Sequence, residues 1–175
     1  MPKRKEKKYS RPRKIYDAAL IKEEKDLIKK YGLKSRREVW RASFAIERIR
    51  NLAKQLITAE DKEKNEFVGR QQEKGFKISS IADILSLSKE DYLKRRLQSV
   101  VVAKGFAKTP KQARQMIVHK QISLNKHFIN SPSHLTTITE ENSLEATLSF
   151  KEKKEISTEE KQFLETIKGK KEESV

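Results

Sequence analysis

The sequence predicts an α+β fold: a basic N-terminal arm, a small all-helical domain, then two helices packed on a small antiparallel β-sheet. Three observations predict it. Apolar residues recur at helical spacing through the first half of the chain. Beyond Lys120 the apolar period shortens to two around an Asn125-Lys126 turn. The first 14 residues carry eight basic side chains against Glu6 and have no apolar period at all.

The arm, residues 1–14, is expected to be extended and disordered when free. From Asp17 onward, Leu20, Ile21, Leu27, Ile28 and Tyr31 mark a helix, and Gly32 supplies its left-handed stop. Ser35-Arg36-Arg37-Glu38 reads as a capping box, the serine meeting one orphan amide and the glutamate another. The helix it opens places Val39, Ala42, Ile46, Ile49, Ala53 and Leu56 on one stripe, crowded by Arg36, Arg37, Arg41, Arg48 and Arg50. Thr58-Ala59-Glu60-Asp61 begins a third helix that ends near Gly75, and Ser79-Ser80 precedes a short apolar turn.

Ser88-Lys89-Glu90-Asp91 starts the next helix, with both acids in the first turn where the macrodipole favours them. Its buried stripe is Leu93, Leu97, Val100 and Val101; Arg95 points roughly 160–200° away at helical pitch, and Gly105 closes the element. Thr109-Pro110-Lys111-Gln112 is the strongest local signal: cap, proline at the first helical position, glutamine at the third. In that helix Ala113, Met116 and Ile117 form the core face, and Lys111, Arg114 and Gln115 the opposite one. A two-residue turn then pairs Ile122 with Ile129 and Leu124 with His127. Leu144, Ala146, Leu148 and Phe150 alternate with polar residues as a half-buried strand, and residues 157–168 have the pattern of one short helix.

Charge sharpens this layout. The chain has a formal net charge of +16 and 38% charged residues. Yet residues 92–139 hold nine Lys or Arg and no Asp or Glu. A stretch so ordered and so free of carboxylates is expected to lie against a polyanion. Residues 140–175 sum to −3, a mildly acidic tail. No window approaches the roughly 18 apolar residues of a membrane span, and there is no cysteine for a disulfide or a thiolate zinc site. A soluble, cytosolic protein is the plain expectation.

Chemistry of other kinds has no support in the pattern. His119, His127 and His134 lack metal-ligand spacing, and no carboxylate partner is expected beside them. Glu23-Glu24 and Glu140-Glu141 read as solvated pairs. No phosphate loop, nucleophile elbow or acid–base constellation occurs, so no enzyme, cofactor or small-molecule substrate is expected. Trp40 borders the apolar stripe and is expected in the core; for Tyr9 both core and contact readings stay open.

Several motifs also carry a resemblance. Arg95-Arg96-Leu97, Lys104-Gly105-Phe106-Ala107-Lys108-Thr109, the run from Gln112 to His119, Ile122-Ser123-Leu124-Asn125 and Asn130-Ser131-Pro132-Ser133 resemble the RNA-binding module of the small-subunit ribosomal protein S four family. Tyr9-Ser10-Arg11-Pro12-Arg13, Lys30-Tyr31-Gly32-Leu33 and Arg37-Glu38-Val39-Trp40-Arg41 resemble its archaeal and eukaryotic form, so that the likeness spans residues 7–138. The module alone also occurs in pseudouridine synthases, some tRNA synthetases and heat-shock RNA binders; the arm and the Trp40 helix narrow it.

The resemblance implies that RNA is contacted by Arg95, Arg96, Lys108, Thr109, Lys111, Gln112, Arg114, Gln115, His119 and Lys120. Charge adds Lys104 and Lys126, the arm residues Lys3, Arg4, Arg11, Arg13 and Lys14, and Arg36, Arg37 and Arg41. The family has glycine where this chain has Lys120 and Lys126, which puts the turn geometry there in question. It further implies a structural constituent of the small subunit that binds ribosomal RNA at a helix junction early in assembly. Neighbouring small-subunit proteins, and messenger RNA near where it enters the ribosome, would be its other partners. The alternatives are an assembly factor on pre-ribosomal RNA and an accessory to an RNA-modifying enzyme. The expected domains are 1–14, 15–87, 88–150 and 151–175. Exchanging Arg95 and Arg114 for glutamate is expected to abolish RNA binding with helicity intact.

Overall fold

The computed structural model describes residues 8–146. Within them the predicted α+β fold is present, as helices followed by a three-stranded antiparallel sheet. Helix α1 spans Ala18–Tyr31, capped by the Asp17 carboxylate and stopped by Gly32 at φ 59°. A side chain on Gly32 would crowd Pro110 and Gln98, so this glycine also permits a close approach to the second half. Helix α2 spans Arg36–Leu56 and buries Val39, Ala42, Ile46 and Ala53. Helices α3 (Asp61–Glu73) and α4 (Ile81–Ser86) close over it. Phe67, Val68, Phe76, Ile78, Ile84 and Leu87 join Ile46 and Ala53 in one apolar cluster. A second cluster joins Leu27, Tyr31, Leu33, Val39 and Ala42 to Leu93.

The single helix expected after Ser88 is two. Helix α5 (Lys89–Lys94) starts from a capping box in which Ser88 and Asp91 exchange hydrogen bonds. Helix α6 (Leu97–Ala103) begins three residues later. Between them the backbone leaves the helix at Arg96, with φ −70° and ψ 143°. Strand-like pairing to the segment after the hairpin explains the break. Leu97 N–H donates to the His134 carbonyl at 2.8 Å, and the Thr136 amide and hydroxyl donate to the Arg95 carbonyl at 3.1 and 3.0 Å. Arg95 therefore does not project from a continuous helix face.

Helix α7 (Pro110–Val118) packs on α6, and both lie on the sheet. Its cap is the expected one, Thr109 Oγ1 accepting from the Gln112 amide at 3.3 Å while Gln112 Oε1 accepts from the Lys108 amide at 3.1 Å. The sheet runs β2-β1-β3, from His127–Phe128, Ile122–Leu124 and Leu144–Ala146, all antiparallel. Leu124 faces His127 as expected, and the Ile129 amide donates to Ile122. Lys120, Asn125 and Lys126 adopt φ of 57°, 50° and 66°. The turns keep the left-handed geometry despite lysine at both positions. Ile122 and Ile117 are fully buried between the layers.

The short helix α8 (Ile138–Asn142), with a Thr137–Glu140 capping box, was not expected; its threonine and glutamate three apart are the signal that marks it. The outer half of the last expected strand, the 157–168 helix, and Lys3 and Arg4 lie outside the described residues.

Candidate nucleic-acid interface

The helix pair presents its polar edge to solvent. Lys104, Lys108, Thr109, Lys111, Gln115, His119 and Lys120 are exposed, as is Lys126 at the hairpin turn. Gln112 is half-buried by its capping role. In the arm Arg11, Arg13 and Lys14 are exposed, and on α2 so are Arg37 and Arg41. Lys104, Lys108, Lys111, His119 and Lys120 give α7 and its flanking turns a polar edge rich in positive charge. Proline at the first position of α7 removes an amide that would otherwise need a partner.

Four of the expected contact arginines are committed elsewhere. Arg96 is buried, its side chain 5% exposed, and its Nη2 donates to Glu38 Oε2 at 2.8 Å. Arg114 donates from Nη2 and Nη1 to the two oxygens of the same carboxylate, at 3.0 and 3.3 Å. Arg95 donates from Nε to the Lys74 carbonyl at 3.0 Å and pairs through Nη2 with Glu141 at 2.8 Å. Gly75, at φ 75°, leaves room for that guanidinium, which any Cβ there would strike. Arg36 pairs with Glu24 and donates to the Ile15 carbonyl at 3.2 Å.

The 92–139 stretch lacks acids in sequence, but Glu38 and Glu141 reach into it from outside. Exchanging Arg95 and Arg114 for glutamate would therefore break internal networks, and helicity would not be spared. Two further expectations are corrected on the same ground. Glu24 is buried rather than solvated, and Glu140 meets His134 Nε2 at 3.1 Å.

Ser35 caps α2 without a side-chain hydrogen bond, and the Glu38 carboxylate takes the two arginines and the Lys34 amide instead of the Ser35 amide. Burial pushes the Glu38 carboxyl up, but hydrogen bonds from Arg114 and Arg96 outweigh it and hold the group below its ordinary value. Beside this trio opens a cleft of 1650 Å³ between α2 and the loop after the hairpin, lined in part by Lys8, Arg41, Arg48, Lys74 and Arg114. Sequence reasoning did not group these cations, which come from four segments. Only the seven-residue spacing of Arg41 and Arg48, one face of α2, pointed to them.

A helix pair on a three-stranded sheet with a cationic edge defines a class of compact RNA-binding module. Residues 95–140 match the family described as "S4 domain". The chain is 41% identical over 144 residues to the small ribosomal subunit protein uS4 of Korarchaeum cryptofilum, covering 79% of this chain and 87% of that protein. It is 37% identical over 150 residues to the protein of that name from Methanococcus aeolicus, covering 82% and 85%. For that from Saccharolobus islandicus the figures are 36% over 159 residues, 86% and 88%. The chain belongs to the uS4 family.

Proposed function

We propose that this chain is a structural constituent of the small ribosomal subunit that binds ribosomal RNA and performs no chemistry. The carrying observation is the exposed cationic edge of the helix pair, from Lys104 to Lys120, beside which Arg96 and Arg114 are neutralised internally by Glu38. Neutralised phosphates supply the affinity. Contacts at these positions read the shape of a folded RNA, such as a helix junction, rather than base order in a duplex groove.

The arm (1–14), the helical domain (15–87), the module (88–150) and the tail (151–175) form the working divisions. The helical domain and arm add a second cationic surface along the cleft, so one protein holds several RNA helices together during early assembly. Neighbouring small-subunit proteins are its other partners, with messenger RNA close to its point of arrival, in the cytoplasm. None of the described helices is long and apolar enough to cross a membrane.

The test is a sucrose gradient of a lysate carrying the tagged chain, followed by crosslinking of the purified subunit and mapping of the attached nucleotides. Retention on mature small subunits, with crosslinks from Lys111 and Lys120, is the expected result. Loss of the protein from mature subunits would instead make it an assembly factor and overturn the reading.

A further inference from the structure

Trp40 joins the arm to the body through a set of contacts that RNA contact does not require. Its indole N–H donates to Glu24 Oε1 at 2.6 Å, and the other oxygen of that buried carboxylate takes the Arg36 guanidinium. Arg36 lies 5.5 Å from the centre of the Trp40 ring and extends its Nη2 to the Ile15 carbonyl. Tyr9 brings its own ring to within 6.1 Å of Trp40, inclined by 31°. The arm is thus fastened at Tyr9 and again at Ile15.

Between these two points lie Ser10, Arg11, Pro12, Arg13 and Lys14. Arg11, Arg13 and Lys14 are exposed, while Pro12 is half-buried and fixes its own φ. Lys8 and Ser10 line the cationic cleft. A charged segment of this composition would be disordered if nothing held it. Here it runs between two fixed points with its cations exposed.

We propose that Glu24, Arg36 and Trp40 form a seat for residues 9–15 that orders the arm before RNA binds. The three act as positioning residues: Arg36 and Trp40 touch the arm, Glu24 holds both of them, and the arm touches RNA. Glu24 is the foundation of the seat, because its carboxylate orients both the indole and the guanidinium. Ordering the arm in advance removes part of the entropy cost of association, which raises affinity without adding a contact. The RNA part of this inference rests on the function proposed above; the ordering of the free arm does not.

The experiment uses the full chain and an in-vitro transcript of small-subunit ribosomal RNA. Tryptic cleavage after Arg13 and Lys14 is timed in the free protein, and emission from Trp40, the one tryptophan in the sequence, is recorded alongside. Tyr9→Ala and Arg36→Gln should speed cleavage severalfold and alter the emission, with the thermal midpoint of Tyr9→Ala unchanged. Tyr9→Phe, which keeps the ring, should restore protection. Both arm-releasing variants should bind the transcript about 3- to 10-fold more weakly, the scale of a modest preorganisation effect.

Equal cleavage rates in wild type and Tyr9→Ala would overturn the seat. Faster cleavage with wild-type affinity would overturn its role in positioning. Failure of the wild-type protein to bind the transcript would strike the proposed function, while the proteolysis would still judge the seat.

Discussion

Replacing Glu38 by alanine tests how the two halves of the molecule are joined. The Glu38 side chain is 11% exposed, that of Arg96 5% and that of Arg114 25%. Without the carboxylate, Arg114 can turn toward water, but the Arg96 guanidinium is stranded in nearly dry surroundings. Removing one partner of a buried ion pair costs about 3–5 kcal/mol, because the other charge stays behind. For a chain of this size each kcal/mol moves the midpoint by about 2–4 °C, so the melting temperature should fall by roughly 6–20 °C.

Thermal unfolding followed by far-ultraviolet circular dichroism at neutral pH reads this directly. Arg96→Met and the double variant complete a cycle, in which the double variant should be less damaged than the two losses added together. Acid adds a second readout. The folded Glu38 carboxyl is held below its ordinary value of 4.5. Its stabilisation is therefore full above that value and is lost as pH falls through the lower folded one. The alanine variant should lack that part of the acid response. A loss below about 1 kcal/mol, the range of an exposed surface pair, would refute the account of the buried trio.

Other outcomes follow from the same geometry. Lys111→Gln with Lys120→Gln should keep native helicity while lowering the salt slope of RNA binding by about 2, one unit for each lost phosphate contact; an unchanged slope in filter-binding titrations would remove that edge from the interface. Ile117, fully buried, should cost about 2–5 kcal/mol when cut to alanine, seen as a lower denaturant midpoint. Lys120→Gly and Lys126→Gly, at φ of 57° and 66°, should each raise stability modestly. Relief of a left-handed conformation worth about 1–2 kcal/mol exceeds the added chain entropy of glycine, about 0.5–1 kcal/mol. Destabilisation by either change in a thermal melt would contradict the strain argument.

What could be read from the chain was what neighbours in sequence decide. The Thr109-Pro110 start of α7, the Gly32 and Gly105 stops and the Asn125-Lys126 turn each depend on a few adjacent residues, so their physics is local. The break between α5 and α6 was hidden because its cause, the segment around His134 to Thr136, arrives from far along the chain. Glu38 misled for a related reason. At α2 it fits a local capping box, but two guanidinium groups offer a charged carboxylate more than one backbone amide does. The exposed polar edge of the helix pair was legible because amphipathic period separates it from the core. Which arginines belonged to that edge was not, because burial of a cation depends on acids brought in from elsewhere.

The shared carboxylate also imposes an order on manufacture. Glu38 is polymerised 58 residues ahead of Arg96 and 76 ahead of Arg114. As the nascent chain leaves the tunnel, the amino-terminal half has an apolar cluster of its own, from Ile46 to Leu87, to assemble around before either guanidinium emerges. The later half then docks onto a counter-charge already waiting. Severed from that earlier half, the RNA module would uncover Leu93 and lose the carboxylate that orients Arg96 and Arg114, so it should be less stable as an independent cassette than within the whole chain.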